Sequence, residues 1–518
     1  MFIQRILLLF VLFVLISQPT SHATVHIING KIQAADGTPT SADLKTLETT
    51  GSKTTYSDFP HGYSISFPQH MIVDVSLSAV RTVFADDKTQ IEVYYDNLAH
   101  SDASANDYIH YGRQFLNNTR DHHILLEKTF LRNGLEVHLL KWSRRPLSSL
   151  AIDRRYYATA EIVKNNREVY TIFIKSTEPI SNEMELIDSF RIIKQTGTAG
   201  IYLPSKQAKT SFNPETVKFF ATYFAESSPL RWGIFHPNAP DALHHLEAIE
   251  QKLDYQFPFV VRYQPLGDEV PFVALSRAYL DRRYVELTLQ TYYYDKDNAS
   301  VMYDILDGKY DDYFRQYAKD LRAFSHPVLF RLNNEMNGDW CWYSSFHTAK
   351  DTEIYKAVWR YIHLLFEQEG VDNVLWVWNP HDRSFPNFSW NHYLVYYPGD
   401  DVVDIVGMTG YNTGNYFSGE TWREFQEIYA PLYLEYTNIF NKPLMITEFG
   451  ANSFGGDKTA WLKQMFQEIK KFERIKVAIW WSGIDRDSEG RAARIYRLDE
   501  NDSVIGAFRE GLKNYREK

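Results

Sequence analysis

Beyond Asn213 the sequence falls into one rhythm that persists almost to its end. Short apolar runs recur at Trp232 to Phe235, Phe259 to Tyr263, Val285 to Leu289, Val328 to Phe330, Val374 to Trp378, Val403 to Gly407, Leu444 to Ile446 and Val477 to Trp481. Helix-like amphipathic stretches lie between them at Asp241 to Leu253, Tyr303 to Leu321, Thr352 to Glu369, Thr421 to Phe440 and Lys458 to Phe472, with Val504 to Tyr515 after the last. Near-continuous apolar runs are the mark of strands buried on both faces. Eight strand-then-helix units over about 300 residues predict a closed (β/α)8 TIM barrel, an α/β fold, over residues 212–518.

Functional side chains of such a barrel sit at the carboxyl ends of its strands. Those ends carry His236, Gln264, Gln290, Asn334 with Glu335, Asn379 with His381 and Asp382, Tyr411 with Asn412, Glu448, and Trp480 with Trp481. The run from His326 to Trp342, HPVLFRLNNEMNGDWCW, delivers Asn334 and Glu335 together and then Trp340 and Trp342. Pro443 to Thr447, PLMIT, is a second buried run that ends at a carboxylate, Glu448. Two strand-end glutamates are what glycoside hydrolysis by paired carboxyl groups requires. Amides hydrogen-bond sugar hydroxyls, and rings stack on the apolar face of a pyranose. The candidate catalytic pair is therefore Glu335 and Glu448, with Gln290, Asn334, Trp340, Trp342, Asn379, Tyr411, Asn412, Trp480 and Trp481 as candidate substrate contacts. Strand alternation turns one of Trp480 and Trp481 toward the helical layer.

No strand end carries a spaced set of metal ligands, a Gly-rich phosphate loop or a Schiff-base lysine, so neither a metal nor a cofactor is expected. The formal net charge of −10, without a long basic run, argues against a nucleic-acid partner. Aromatic residues make up 15% of the chain, enough to supply stacking surfaces as well as cores.

The amino-terminal third has a different texture. Met1 to Arg5 are weakly basic, Ile6 to Ile16 are apolar and Ser21-His22-Ala23 are small or polar, the pattern of a secretory signal peptide over residues 1–23. The apolar run is too short to span a bilayer, so export and an extracellular or cell-surface location without a membrane span are expected. Cys341 is the only cysteine and reads as a packing residue. Residues 24–55 read as a polar leader. From 56 to 197, runs such as Tyr63 to Phe67, Ile91 to Tyr95, Leu135 to Trp142, Tyr156 to Val163 and Val169 to Ile174 alternate with the period of half-buried antiparallel strands, predicting a small α+β accessory domain. Wall or glycan contact is the role expected for it, and residues 198–211 read as the linker to the barrel.

Arg331, Asn334-Glu335-Met336-Asn337-Gly338 and Trp340, then Tyr397-Pro398-Gly399-Asp400 leading to Val403-Asp404-Ile405-Val406-Gly407 and Tyr411, then Glu448-Phe449-Gly450, resemble glycoside hydrolase family 26 in order and register over roughly residues 212–515. The resemblance implies a polysaccharide substrate, Glu335 as general acid/base and Glu448 as the nucleophile of a retaining double displacement. It further implies that Tyr411 hydrogen-bonds the nucleophile and that Trp340 and one of Trp480 or Trp481 are sugar platforms. One position departs from the pattern. Mannanases of the family usually carry His before the acid/base glutamate, and Asn334 stands there. An asparagine at that place usually reads the sugar 2-hydroxyl, so β-mannan, β-glucan and β-1,3-xylan all remain open as substrates. Two further readings stay beside the endo-β-glycanase: a non-catalytic cell-surface carbohydrate-binding protein, and a transglycosylase using the same covalent intermediate.

Overall fold

The computed structural model describes residues 23–28, 31–34, 45–203, 211–294 and 300–516. The expected signal peptide, apart from Ala23, and much of the expected linker lie outside them.

Eight parallel strands close into a barrel in sequence order: Arg231–Phe235, Phe259–Pro265, Tyr284–Gln290, Val328–Leu332, Val374–Trp378, Ile405–Asn412, Leu444–Ala451 and Ile475–Trp481. Period-two alternation divides their side chains into two sets. Trp232, Ile234, Val285, Leu287, Phe330, Trp376, Trp378, Ile446 and Trp480 point outward into the core under the helices. Phe259, Val261, Leu329, Leu375, Val377, Ile405, Met445, Val477 and Ile479 fill the lower barrel interior. Its amino end is plugged by the helix Pro214–Tyr223, which brings Phe219, with the following Phe224, against Phe259. That helix starts cleanly because the Asn213 side chain accepts from Thr216 N and Pro214 occupies its first turn.

The helical layer departs from the sequence expectation in three places. The stretch Tyr303 to Leu321 is two helices, Met302–Leu306 and Asp311–Phe324, because Gly308 turns left-handed at φ +77° between them. A helix at Phe272–Leu280 follows the second strand, and its apolar outer face hides its periodicity: Phe272, Val273 and Leu280 are exposed. Between the fifth and sixth strands there is no α-helix, only the short 3-10 turns Ser389–Asn391 and Tyr393–Tyr396.

Among the described residues, the amino-terminal domain is built on one antiparallel sheet of thirteen strands. The leader proposed for residues 24–55 is corrected here: Ala23–Ile28, Lys31–Ala34, Lys45–Thr50 and Lys53–Asp58 are all strands of that sheet, with Lys45–Thr50 and Lys53–Asp58 joined as a hairpin. The turn end of that hairpin is exposed, while Lys45, Thr54, Tyr56 and Asp58 are buried. The start of the expected linker is also anchored, since Tyr202 N donates to Ser76 O at 2.7 Å.

The central strands of the sheet are buried on both faces, where sequence alternation predicts one wet face. Tyr170, Ile172 and Ile174 of the strand Glu168–Ser176 enter the domain's own core. Val169 and Phe173 of the same strand join a second core with Tyr94, Trp142 and Tyr157, which continues into Phe346, Ala349, Phe388 and Trp390 of the barrel loops. Charges on that face are paired across the junction. Lys175 Nζ lies 2.7 Å from both Glu92 Oε1 and Asp351 Oδ1, and Lys350 Nζ lies 3.2 Å from Glu161 Oε1. Burial alone would raise the Glu92 carboxyl, but Arg81 and Lys175 outweigh it and bring it down to about 2. A pKa below the ordinary carboxylate value stabilises the folded chain above that value, and the contribution is lost as pH falls from about 4.5 toward 2. Lys175→Met leaves Glu92 and Asp351 buried without their shared cation, so a loss of about 3–5 kcal/mol in unfolding free energy is expected in urea titrations; an unchanged midpoint would mean that the junction does not depend on this ion pair.

Candidate active site

The fourth barrel strand delivers its functional residues by breaking its own alternation. Leu329 and Arg331 point into the barrel, so regular pleating would turn Asn334 outward. Asn333 instead takes a left-handed backbone at φ +51°, and Glu335 another at φ +54°. Such conformations cost a non-glycine residue of order 1 kcal/mol and persist only where the surroundings hold them. Here they are held: Asn333 Oδ1 accepts from Thr291 N and Oγ1 at 2.8 and 3.0 Å, and Glu335 N donates to Asn379 O at 2.7 Å. As a result Asn334 faces inward. Its Nδ2 lies 3.4 Å from Glu448 Oε1, and its Oδ1 accepts from Gln290 Nε2 at 3.0 Å.

The seventh strand achieves the same end with a bulge. Met408 pairs with Ile446 and Thr409 with Glu448, so Thr447 is an extra residue in the ladder. Ile446 and Phe449 both pack outward, and the bulge lets Thr447 and Glu448 both face the interior. Glu448 is then surrounded by donors. Arg331 Nη1 lies 2.6 Å from Oε1, and Tyr411 OH donates to Oε2 at 2.9 Å.

Arg331 joins that carboxylate to a second one. Its Nε lies 2.6 Å from Glu286 Oε1, on the third strand, and donates to Thr288 Oγ1 at 2.8 Å, while Nη1 also donates to Asn379 Oδ1 at 3.0 Å. Arg331 and Glu286 are both sealed from solvent. Burial raises the Glu286 carboxyl, Arg331 opposes it, and the charge of Glu448 adds to the rise, leaving it at about 7.

Glu335 occupies a contrasting environment. Burial raises its carboxyl first and the charge of Glu448 second; Arg331 and the Trp340 indole oppose them, and the result is about 8. The two strand-end glutamates thus differ in kind. One is an acceptor held by a guanidinium, an amide and a phenol, and the other is an acid that keeps its proton at neutral pH.

The other sequence candidates divide. Trp340 is 47% exposed beside Glu335, edge-on to His381 at 5.3 Å and tilted against Phe385 at 5.2 Å. Trp481 points into the barrel mouth, 6.2 Å from the Tyr411 ring and stacked on Phe235 at 5.1 Å. Gln290 lies at the rim, with its Oε1 accepting from Tyr294 OH at 2.6 Å. Trp342 is half-buried and stacks on His347 at 4.3 Å.

Three candidates are corrected. Trp480 is fully buried in the helical layer, where its Nε1 donates to Tyr496 O at 2.8 Å. Asn379 lies below the site, its Oδ1 taken by Arg331 and Thr409. Asn412 is buried, and its Oδ1 accepts from Gly414 N and Arg423 N, which shapes the following loop. All three are strand-end residues, but the pleat points Trp480 and Asn412 away from the barrel interior, and Asn379 sits one layer too deep to meet a substrate.

Strand-end reading missed Glu286, Tyr292, Tyr294, Tyr343 and Tyr496. Tyr343 OH donates to Asn334 O at 2.5 Å, and Tyr496 lies 5.0 Å from the Tyr411 ring. Charged residues inside largely apolar runs, Glu286 in Val285 to Leu289 and Arg331 in Val328 to Leu332, are the signal of the interior network.

Residues 283–476, which span both glutamates, match the model of glycosyl hydrolase family 26. Endoglucanase H of Acetivibrio thermocellus is 30% identical over 213 residues, 40% of this chain and 23% of that protein. A mannan endo-1,4-β-mannosidase of Bacillus subtilis is 32% identical over 136 residues, 25% of this chain and 32% of that protein. The chain thus spans less than a third of the length of these curated relatives. Among solved structures, a β-mannanase from Bacteroides ovatus aligns at 17% identity with a TM-score of 0.44, covering 58% of this chain and 93% of that one. Over residues 283–476 of its barrel, the chain is thus similar to glycosyl hydrolase family 26.

Proposed function

We propose that the chain is a secreted endo-acting glycoside hydrolase that cleaves a β-linked polysaccharide with retention of anomeric configuration. The observation that carries this reading is the pair of environments at the barrel mouth. Glu335 is kept protonated by burial and by the charge of Glu448, while Arg331, Tyr411 and Asn334 direct donors at Glu448. Paired carboxyl groups pushed apart in this way define an acid and a nucleophile.

In the first step a Glu448 oxygen attacks the anomeric carbon, the glycosidic bond breaks, and its electron pair leaves on the oxygen that Glu335 protonates. Glu335, now a carboxylate, takes a proton from water in the second step. That water oxygen bonds to the anomeric carbon, the glycosyl ester breaks, and the Glu448 carboxylate is restored. As the ester forms, Glu448 loses its charge and with it the second largest cause that holds the Glu335 proton, so the acid of the first step becomes the base of the second.

The names of the relatives, endoglucanase and mannan endo-1,4-β-mannosidase, support β-glucan and β-mannan as the first substrates to try. Asn334 in place of the histidine usual in the family's mannanases keeps β-1,3-xylan beside them. The amino-terminal domain contributes to this reading as scaffold. The large apolar side chains it exposes among its described residues, Ile72, Ile124, Leu125, Leu126, Leu131 and Ile152, are aliphatic and offer no ring for a pyranose.

Reducing-sugar release from β-mannan, mixed-linkage β-glucan, xylan and β-1,3-xylan tests the proposal. Activity on at least one polymer is expected, reduced by at least about 10³-fold in Glu448→Ala; release that survives this substitution would remove Glu448 from the chemistry. A second expectation concerns pH. Since Glu335 acts in its protonated form, kcat/KM is expected to fall as pH rises through about 8. In Glu335→Ala that alkaline limb is expected to vanish on an aryl glycoside whose leaving group needs no proton, with residual turnover on it far above that on polymer. A limb that persists unchanged in the variant belongs to another group.

A further inference from the structure

Where the loops after the sixth and seventh barrel strands meet, three rings lie together at the surface. Phe417 is 36% exposed and Phe454 39%, and Tyr416 lies between them with ring centroids 5.0 and 5.4 Å away. Core packing does not account for rings that share an edge while facing water.

The cluster is built rigidly. Tyr416 OH donates to Asp487 Oδ2 at 2.8 Å, from the turn of the hairpin formed by Ile484–Arg486 and Ala492–Ile495 after the last barrel strand. The Arg494 guanidinium of that hairpin covers Phe417 at 4.8 Å and is itself fixed by Glu420 at 2.5 Å and Asp485 at 3.0 Å. On the other side Gly414, at φ +71°, approaches so closely that a Cβ there would meet the Phe454 carbonyl oxygen at 1.9 Å. Glycine is thus what allows the two loops to close on each other.

The patch is continuous with the reacting carboxyls. Tyr411, which donates to Glu448, lies 5.0 Å from the Tyr496 ring. Tyr496 directly follows the hairpin strand that carries Arg494, and Asp485 across from Arg494 feels the charge of Glu448. Beside Glu335, a separate group of rings is formed by Trp340 and Phe385.

We infer that Tyr416, Phe417 and Phe454 form a distal subsite that stacks pyranose rings of the same glycan chain, beyond the sugars held at Glu335 and Glu448. The occupant follows from this continuity: a chain seated over Glu448 and leaving past Tyr411 and Tyr496 next meets these rings. Stacking engages the apolar face of the sugar and is indifferent to most hydroxyl configurations, so the subsite lends chain-length preference more than sugar identity. An enzyme built this way acts within long chains. The inference rests on the glycanase reading, and its test separates the two.

Phe417→Ala, Phe454→Ala and their double variant, in the full chain, are to be compared with wild type on the polymer that wild type cleaves and on a ladder of its oligosaccharides. Retention on the same polymer is measured in parallel by affinity electrophoresis in the Glu448→Ala background. The double variant is expected to raise KM on polymer and long oligosaccharides about tenfold, to leave kcat and the shortest cleaved substrate unchanged, and to weaken retention. Phe417→Tyr is expected to restore most of what Phe417→Ala loses. Equal losses on short and long substrates, or polymer retention as strong as that of the parent, would overturn the subsite while leaving the hydrolase intact. A wild-type chain that cleaves no glycan would overturn the glycanase reading, and the subsite with it.

Discussion

A guanidinium buried between two carboxyl groups sets the terms for the rest of this barrel. Arg331 lies 2.6 Å from Glu286 on one side and 2.6 Å from Glu448 on the other, and none of the three could be placed there alone without a large desolvation cost. One cation cannot fully compensate two anions in so dry a place. The conflict falls on the carboxyl that solvent cannot reach: Glu286 rises to about 7, while Glu448 at the mouth keeps Arg331, Asn334 and Tyr411 as partners. Glu335 then responds to Glu448 in turn. The acid at the mouth is therefore coupled to a charge arrangement rooted well inside the barrel.

Holding that arrangement requires the interior to change character partway up. The lower layers are apolar, from Phe259 and Leu329 to Met445 and Val477. Above them lie Thr288, Arg331, Asn379, Thr409 and Thr447, tied by hydrogen bonds from one strand to the next, while Glu286 reaches Arg331 as an ion pair from the level of Leu329. Gly407 belongs to this layer as well: a Cβ there would press within 2.6 Å of Thr447 and 2.9 Å of Asn379. The two places where the backbone abandons regular pleating, the left-handed Asn333 and Glu335 and the bulge at Thr447, sit immediately above it. A closely tied polar layer supplies the rigidity that lets strained strand ends persist, and those ends are what aim the two glutamates.

What the sequence revealed of this follows from what a pleat makes visible. Barrel strands were legible because burial on both faces writes an apolar run, and Glu335 and Glu448 because they terminate two such runs. Trp480 and Trp481 occupy one strand end and look alike in sequence, yet alternation sends the first to the helices and the second to the mouth. Asn379 carries the right chemistry one layer too deep, and Asn412 carries it on the face that alternation turns away from Tyr411 and Glu448. Glu286 and Arg331 lie inside apolar runs, where a lone charge can be recognised as costly but its partner, a strand away, cannot be read. The helix Phe272–Leu280 was obscured for a different reason, since its exposed phenylalanine, valine and leucine blur the amphipathic period.

The amino-terminal sheet illustrates the same limit at the scale of a domain. Alternation in Glu168–Ser176 and Thr89–Asn97 separates two faces correctly, but it cannot say that the second face meets protein instead of water. The clue lay in the residues that share that face: Tyr157, Phe173 and Trp142 are poor choices for a wet surface, and Glu92, Glu161 and Lys175 are spaced among them as isolated charges. Isolated charges amid rings imply partners elsewhere in the chain, and Lys350 and Asp351 supply them. These two residues end the same loop that begins at Glu335 and carries Trp340, and Tyr111 of the accessory domain donates to Asp339 within it. The sheet therefore fixes, from behind, the segment on which the acid and its neighbouring indole are mounted. A domain that reads in sequence as an appendage is in the structure part of the wall that holds the active-site loop in place.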